Sequence, residues 1–324
     1  MSLPNELTLA IEHELAYFKS DRLSQAATEL SEAYRTAPGT LRLLPEHHAA
    51  YSATRMPATY AVIERVMQEI QTLLPKVSFH TLLDIGAGPG TALWAATTLF
   101  PEIEKATLIE RDSGFSKLGQ RLAQSAENPT IKEATWKLHN LNQALALSAH
   151  DLVIASYSLG ELSTNTFEQA IKQCLDWTRQ ALVVIEPGTP RGYATLMRAR
   201  DQLLAQGAHV VAPCPHQLAC PIAGNDWCHF SQRLDRTQFH RQIKNVSLSY
   251  EDEKYCYLVV TKPKLSPPSA HRLIRKPLKR TGHIYLDLCT TDGQLKREVI
   301  TRSDKESMRR AKKAEWGDTW ESHT

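Results

Sequence analysis

No stretch of this chain stays apolar for anything like the roughly 20 residues that cross a bilayer as a helix. Its first residues, MSLPNELTLAIEHELAYF, carry acidic side chains where a signal or transit peptide would be basic. Both absences lead to the expectation of a soluble, intracellular and cytoplasmic protein. No internal repeat recurs along the 324 residues, and no C-x-x-C pair of the zinc-finger kind occurs. Six cysteines in a reducing compartment are not expected to pair as disulfides. Net charge is small as well, +3, but it is unevenly spread. Residues 261–324 hold 15 Lys+Arg against 8 Asp+Glu, which leaves 38 − 15 = 23 against 35 − 8 = 27 for the rest. A basic module on a mildly acidic body points to a polyanionic partner, RNA above all.

With 42% hydrophobic residues the chain can build a sizeable core. The stretch around which it is organised is TLLDIGAGPGTALWA, Thr81 to Ala95. A short apolar run reads as a buried strand, Asp84 sits near its end, and Gly86, Gly88 and Gly90 alternate before a helical pattern begins. Glycine suits a sharp strand-to-helix turn approached closely by a ligand. The order strand, acid, glycines, helix places a nucleoside cofactor at the carboxyl edge of a parallel sheet. A second strand, KATLIE, ends in Glu110, 24 residues past Gly86. One carboxylate there can accept hydrogen bonds from both ribose hydroxyls, with Asp112 as the alternative. Asn140, just past a third strand at 135–138, is expected to meet the adenine amino group.

Read in order, residues 1–77 are a helical region and 78–262 a doubly wound α/β domain with a seven-stranded sheet. Residues 263–324 form a small basic module. Strands four and five are expected at 151–162 and 181–192, where Ser156, Tyr157, Ser158, Glu161 and Glu186 border the cofactor. Strands six and seven are expected near 245–250 and 254–262. The Pro-rich basic segment KPKLSPPSAHRLIRKPLKR reads as a linker. Beyond it, HIYLDLC and LKREVIT flank the turn signal Asp292-Gly293 and predict a β-hairpin. A short basic helix closes the module.

Residues 212–233, APCPHQLACPIAGNDWCHFSQR, form a cysteine-rich insertion. Cys214, Cys220 and Cys228 lie in a segment with no regular structure of its own, where bonds to a metal or cluster replace a hydrophobic core. A fourth ligand is needed. His216 or His229 would make a Cys₃His zinc site; Cys289, beside the hairpin turn, would complete a four-cysteine site. Cys289 is favoured, because Cys256 lies within an apolar strand.

RMPATYAV at 55–62, LLDIGAGPGTALWAA, VVIEPGTPRG, the PCPH…CP…WCHFSQR block and the closing WGDTW together resemble the methyltransferase-like proteins of the mitochondrial small ribosomal subunit and their bacterial relatives. The resemblance spans most of residues 40–320. It implies a class I S-adenosylmethionine fold, association with small-subunit ribosomal RNA or its precursor particle, and a 4Fe-4S cluster held by Cys214, Cys220, Cys228 and Cys289. Asp84 and the Gly86–Gly90 loop would then hold the amino-acid end of S-adenosylmethionine, Glu110 the ribose and Asn140 the adenine. Two acceptor chemistries lack their residues. The chain reads SYSLGE where exocyclic-amine methylation uses Asn/Asp-Pro-Pro-aromatic, and neither strand four nor strand five ends in the cysteine that cytosine C5 attack requires. A non-catalytic assembly factor binding RNA is the first alternative to an RNA methyltransferase. A nicotinamide oxidoreductase is the second, opposed by a GAGPG spacing that departs from G-x-G-x-x-G.

Overall fold

A computed structural model describes residues 2–36, 41–143, 145–264 and 270–322. The expectations for 37–40 of the helical region and for 265–269 of the linker lie outside the described residues. In chain order the elements are α1 (Asn5–Leu15), α2 (Ser20–Thr36), α3 (Pro45–Thr54), α4 (Met56–Leu73), β1 (Thr81–Ile85), α5 (Thr91–Leu99), β2 (Lys105–Glu110), α6 (Ser113–Ala123), α7 (Pro129–Lys132), β3 (Thr135–Leu138) and β4 (His150–Ser156). They continue with α8 (Thr164–Asp176), β5 (Thr178–Pro187), α9 (Pro190–Ala205), β6 (His209–Ala212), β7 (Phe230–Asp235), α10 (Gln238–Lys244) and β8 (Tyr250–Thr261). The last are β9 (His271–Leu273), β10 (Leu278–Arg280), β11 (His283–Cys289), β12 (Leu295–Thr301), α11 (Lys305–Lys313) and β13 (Thr319–Trp320). The fold is α/β, with β1 to β8 of mixed direction.

Two compact units divide the chain: 1–180 with 232–253, and 181–231 with 254–324. In the first, β1 pairs in parallel with β2 on one side and β4 on the other, and β2 continues in parallel to β3. Parallel neighbours need crossover connections, and α5 and α6 supply those between β1, β2 and β3. Leu82, Leu83, Ile85, Leu108 and Val153 have essentially no exposed surface, as expected of strands covered on both faces. Helix α1 buries Leu7, Ile11 and Leu15 at a four-residue repeat, and α4 buries most of its length.

In the second unit β8 runs antiparallel to β5 and to β6, with a register irregularity between Val210 and Ala212. A separate five-stranded sheet holds β9 to β13. There β11 pairs antiparallel with β10, β12 and β9. Leu273, Ile284, Leu286, Leu288, Ile300, Met308, Ala311 and Trp320 form its core.

Two expectations are corrected. The sheet strands number eight up to β8 rather than seven, and residues 245–249 are no strand, Tyr250 being the first residue of β8. Asn245 takes a left-handed conformation (φ 50°) as the cap of α10, which breaks extension where Val246 and Leu248 suggested it. Strand pairing falls instead to β6 and β7, which flank the cysteine block.

Candidate functional site

In the first unit Asp84, the Gly86–Gly90 loop and Glu110 come together at the ends of β1 and β2. Gly86 and Ala87 donate their backbone N–H groups to the Ile109 carbonyl (2.9 and 3.0 Å), which fixes the glycine loop against the end of β2. Gly86 and Gly90 have φ of 70° and 86°, conformations that disfavour a side chain. A Cβ on Gly86 would also lie 2.4 Å from that of Ser158. Ser158 in turn donates to the Ile85 carbonyl (3.0 Å), so the turn after β4 closes onto the loop.

Glu110 is buried and accepts from Gly88 N–H and Asp112 N–H, both at 2.7 Å. Burial raises its pKa, against the opposing pull of these backbone donors. Asp84 is fully buried, and neither of its carboxylate oxygens has a hydrogen-bond partner among the described residues. Burial, and then the nearby Glu110, push its pKa up to about 8. An unbonded buried carboxylate at the mouth of a glycine loop is the group a cationic ligand would satisfy. That fits the ammonium of an amino-acid moiety.

Asp112, the alternative ribose acid, is otherwise engaged. It caps α6 through Phe115 N–H (2.8 Å) and contacts His48 Nε2 at 2.7 Å; chiefly through that His48 contact its pKa falls. Asn140 is exposed and accepts from Asn142 N–H (3.1 Å). Sequence reading missed Trp136 on β3, whose ring fills the space beside Gly90 and Gly119. The helical Gly119 was the available signal.

In the second unit Cys214, Cys220, Cys228 and Cys289 line one cavity, together with Tyr193, Phe230 and Cys256. The block at 214–228 and β11 thus meet, although 60 residues lie between Cys228 and Cys289. Burial raises the pKa of Cys214, Cys228 and Cys289, and proximity of the other thiols adds to it; Cys289 reaches about 12. Cys256 lines the same space, but its Sγ faces the carbonyls of Pro187 (3.4 Å) and Glu186 (3.6 Å). His216 Nε2 lies 3.3 Å from Cys289 Sγ, and Tyr193 Oη 3.2 Å from Cys220 Sγ. His229 instead stacks on Trp227 and meets Trp316 edge-on.

Among the described residues no three His, Cys, Asp or Glu side chains converge closely enough to hold a single metal ion. A tetrahedral zinc would draw four sulfurs to about 3.8 Å from one another, given Zn–S bonds near 2.3 Å. Among the described residues neither a Cys₃His site through His216 or His229 nor a four-cysteine site for a single ion is formed.

Two arginines that sequence reading left out hold the irregular loop in shape. Arg200, 2% exposed, donates to the carbonyls of Leu218 (2.6 Å) and His216 (3.4 Å). Arg272, 5% exposed, donates to those of Pro213 (2.9 Å) and Gly317 (2.6 Å). Both line the thiol cavity. Buried cations are expensive unless a negative charge compensates them, and among the described residues the fully buried Arg200 is paired with the solvent-exposed Asp201, at 3.7 Å. Thiolates in the cavity would compensate Arg200.

Residues 45–321 match the family described as "Mitochondrial small ribosomal subunit Rsm22". The human mitochondrial ribosome assembly protein METTL17 is 30% identical over 83% of this chain and 61% of its own length. A Schizosaccharomyces pombe mitochondrial Rsm22-cox11 tandem protein is 28% identical over 93% of this chain and 46% of its own. The chain therefore spans about half to three fifths of these relatives. Among solved structures, magnesium protoporphyrin IX methyltransferase from Synechocystis with bound SAM is 12% identical at TM-score 0.42, covering 74% of this chain and 97% of that one. So loose a likeness says nothing about chemistry. The expectation of a cytoplasmic protein is overturned by the relatives, which are named as mitochondrial. The match along residues 45–321, with the human relative at 30% identity, establishes that the chain belongs to the Rsm22 family of the mitochondrial small ribosomal subunit.

Proposed function

We propose that this chain is a small-subunit ribosome assembly protein that binds S-adenosylmethionine in its first unit and a 4Fe-4S cluster in its second, and docks on small-subunit ribosomal RNA or its precursor particle. One observation carries the reading: four thiols from two distant stretches of sequence line one cavity edged by two buried arginines. The donor set is all sulfur, which selects an iron-sulfur cluster or another soft centre. A multi-iron cluster spreads its ligands wider than one ion does, in keeping with thiols that do not converge on a point. Cys214, Cys220, Cys228 and Cys289 would hold it. Such a centre supplies a cross-link between the cysteine block and β11.

Asp84 and the glycine loop would bind the amino-acid end of S-adenosylmethionine, Glu110 the ribose and Asn140 the adenine. The ligand supplies an electrophilic methyl group; the chain positions it and excludes water, and positioning is most of what methyl transfer to a reactive acceptor needs. A reading in which the chain assembles without turnover is favoured by the polar turn after β4. Its SYSLGE residues supply no acceptor motif, and Ser158 sits against Gly86.

Crosslinking to RNA in cells, followed by sequencing of the bound RNA, tests the partner. Enrichment of small-subunit ribosomal RNA is expected, and recovery of unrelated RNA alone removes it. Anaerobically purified protein is expected to be brown with broad absorbance near roughly 400 nm. Colourless protein without iron removes the cluster. Calorimetry with S-adenosylmethionine against NAD tests the cofactor, and no heat with the first removes it.

A further inference from the structure

The strands of the C-terminal sheet present two unlike faces. Alternate residues Ile284, Leu286 and Leu288 of β11 point into the core formed with Met308 and Trp320. The opposite set, His283, Tyr285 and Asp287, is half-exposed. Strand register puts Leu278 of β10 and Val299 of β12 on either side of Tyr285, in one cross-strand row. Leu278 is 42% exposed and Val299 49%, an apolar row left open beside a tyrosine.

The next row carries Arg280, His283 and Thr301, and the row on the other side Asp287 and Arg297. The His283 ring meets that of Tyr285 edge-on at 4.9 Å, and the Arg297 guanidinium lies 5.8 Å from the tyrosine ring centroid. Arg297 is paired with Asp287 (2.6 Å). Arg280 and Arg302, at the end of the sheet where β10 turns into β11, form no ion pair among the described residues.

We propose that this outer face, centred on Tyr285, is a stacking platform for unpaired bases of RNA. A flat aromatic and aliphatic row accepts the faces of bases, and arginines at its border meet the phosphates between them. Charge selects this occupant over an apolar protein surface: the border is cationic, and the module from 261 on holds 15 Lys+Arg against 8 Asp+Glu. A duplex hides its base faces and would leave the row uncovered. The proposal rests on the RNA partner proposed above and names the surface that meets it.

The test is fluorescence anisotropy on the full chain, using a labelled single-stranded RNA of about 12 nucleotides, within the site sizes of such binders, read against an RNA duplex of the same length. Tyr285→Ala is expected to weaken single-strand binding about tenfold and leave duplex binding unchanged, which also reports that the fold is intact. Tyr285→Phe is expected to keep wild-type affinity. Arg280→Ala is expected to lower the slope of log affinity against log salt by about 0.7. Equal single-strand affinity for wild type and Tyr285→Ala overturns the platform while leaving the RNA partner standing. No binding by the wild type to either RNA removes the partner itself. If Tyr285→Ala holds free RNA normally but is lost from small-subunit particles, the face belongs to a ribosomal protein and the proposal is overturned.

Discussion

Asp84 is held in a state that folding alone disfavours. Its carboxyl group, ordinarily half-ionised near 3.8, titrates at about 8 because it is buried and sits near Glu110. A group whose pKa rises on folding contributes stability that is fully present below its unfolded value and lost as pH climbs through the folded one. Ligand-free protein should therefore lose stability from this group between about pH 4 and pH 8. Asp84→Asn should remove that slope, raising the ligand-free melting point at pH 8 by the equivalent of a few kcal/mol while weakening S-adenosylmethionine at least tenfold. A variant that melts lower at pH 8 would mean that Asp84 is bonded in solution. Arg200 makes a complementary case at the thiol cavity. Arg200→Met should leave the strands in place but cost 10- to 100-fold in affinity for the inorganic centre, read as faster iron loss to a chelator. The acid and the glycines were legible because a strand-to-helix turn constrains residue type so tightly. The arginines were not, since only folding brings position 272 beside the loop at 213 and lets position 200 donate to carbonyls 16 and 18 residues on.

Helix α10 and the first half of β8 are joined by a charge cluster inside the first unit. Glu251 accepts from Arg236 (2.8 Å) and Lys244 (3.1 Å), and His240, with no exposed surface, lies 3.4 Å away. Burial acts to raise the Glu251 pKa, but the close His240 ring and the Lys244 and Arg236 cations outweigh it and carry it far below the usual carboxylate range. For a depressed pKa the stability is present above the unfolded value near 4.5 and lost as pH falls. Glu251→Gln should accordingly cost about 3 kcal/mol near neutral pH and much less at pH 3, measured by urea denaturation at both. An equal loss at the two pH values would show that packing, not charge, holds α10. The same region shows where pattern reading failed. Strands β1 and β2 and the second half of β8, YCYLVVT, are largely apolar runs, and such runs are legible. Strand β6 is four residues long and runs directly into the proline before Cys214, while β7, FSQRLD, is polar at four of its six positions; strands so short and mixed look like loop. Val246 and Leu248 carry a strand-like pattern that the left-handed Asn245 interrupts.

Cys289 and Tyr285 lie four residues apart on one strand and so share its alternation. One end of β11 therefore faces the thiol cavity while the other carries the base platform, at a separation of about 13 Å along the strand. A centre bound to Cys289 and to the block at 214–228 would close a loop of 61 residues, and closing so long a loop removes conformational freedom chiefly from the unfolded chain. It would also fix the end of β11 that positions Tyr285. Metal removal is thus expected to act on RNA binding without touching a single RNA contact. Protein stripped by chelator should show faster amide exchange in β9, β11 and the 214–228 block, and single-strand RNA affinity lower by several-fold, with exchange in β1 and β2 unchanged. Cys220→Ser should mimic this, melting lower than the loaded wild type because binding and folding are coupled in such a loop. Because the raised pKa values of Cys214, Cys228 and Cys289 make protons compete with metal, the loss should deepen as pH is lowered from 8 to 6. Unchanged RNA affinity after complete iron removal would separate the two sites and leave the four cysteines a role confined to their own loop.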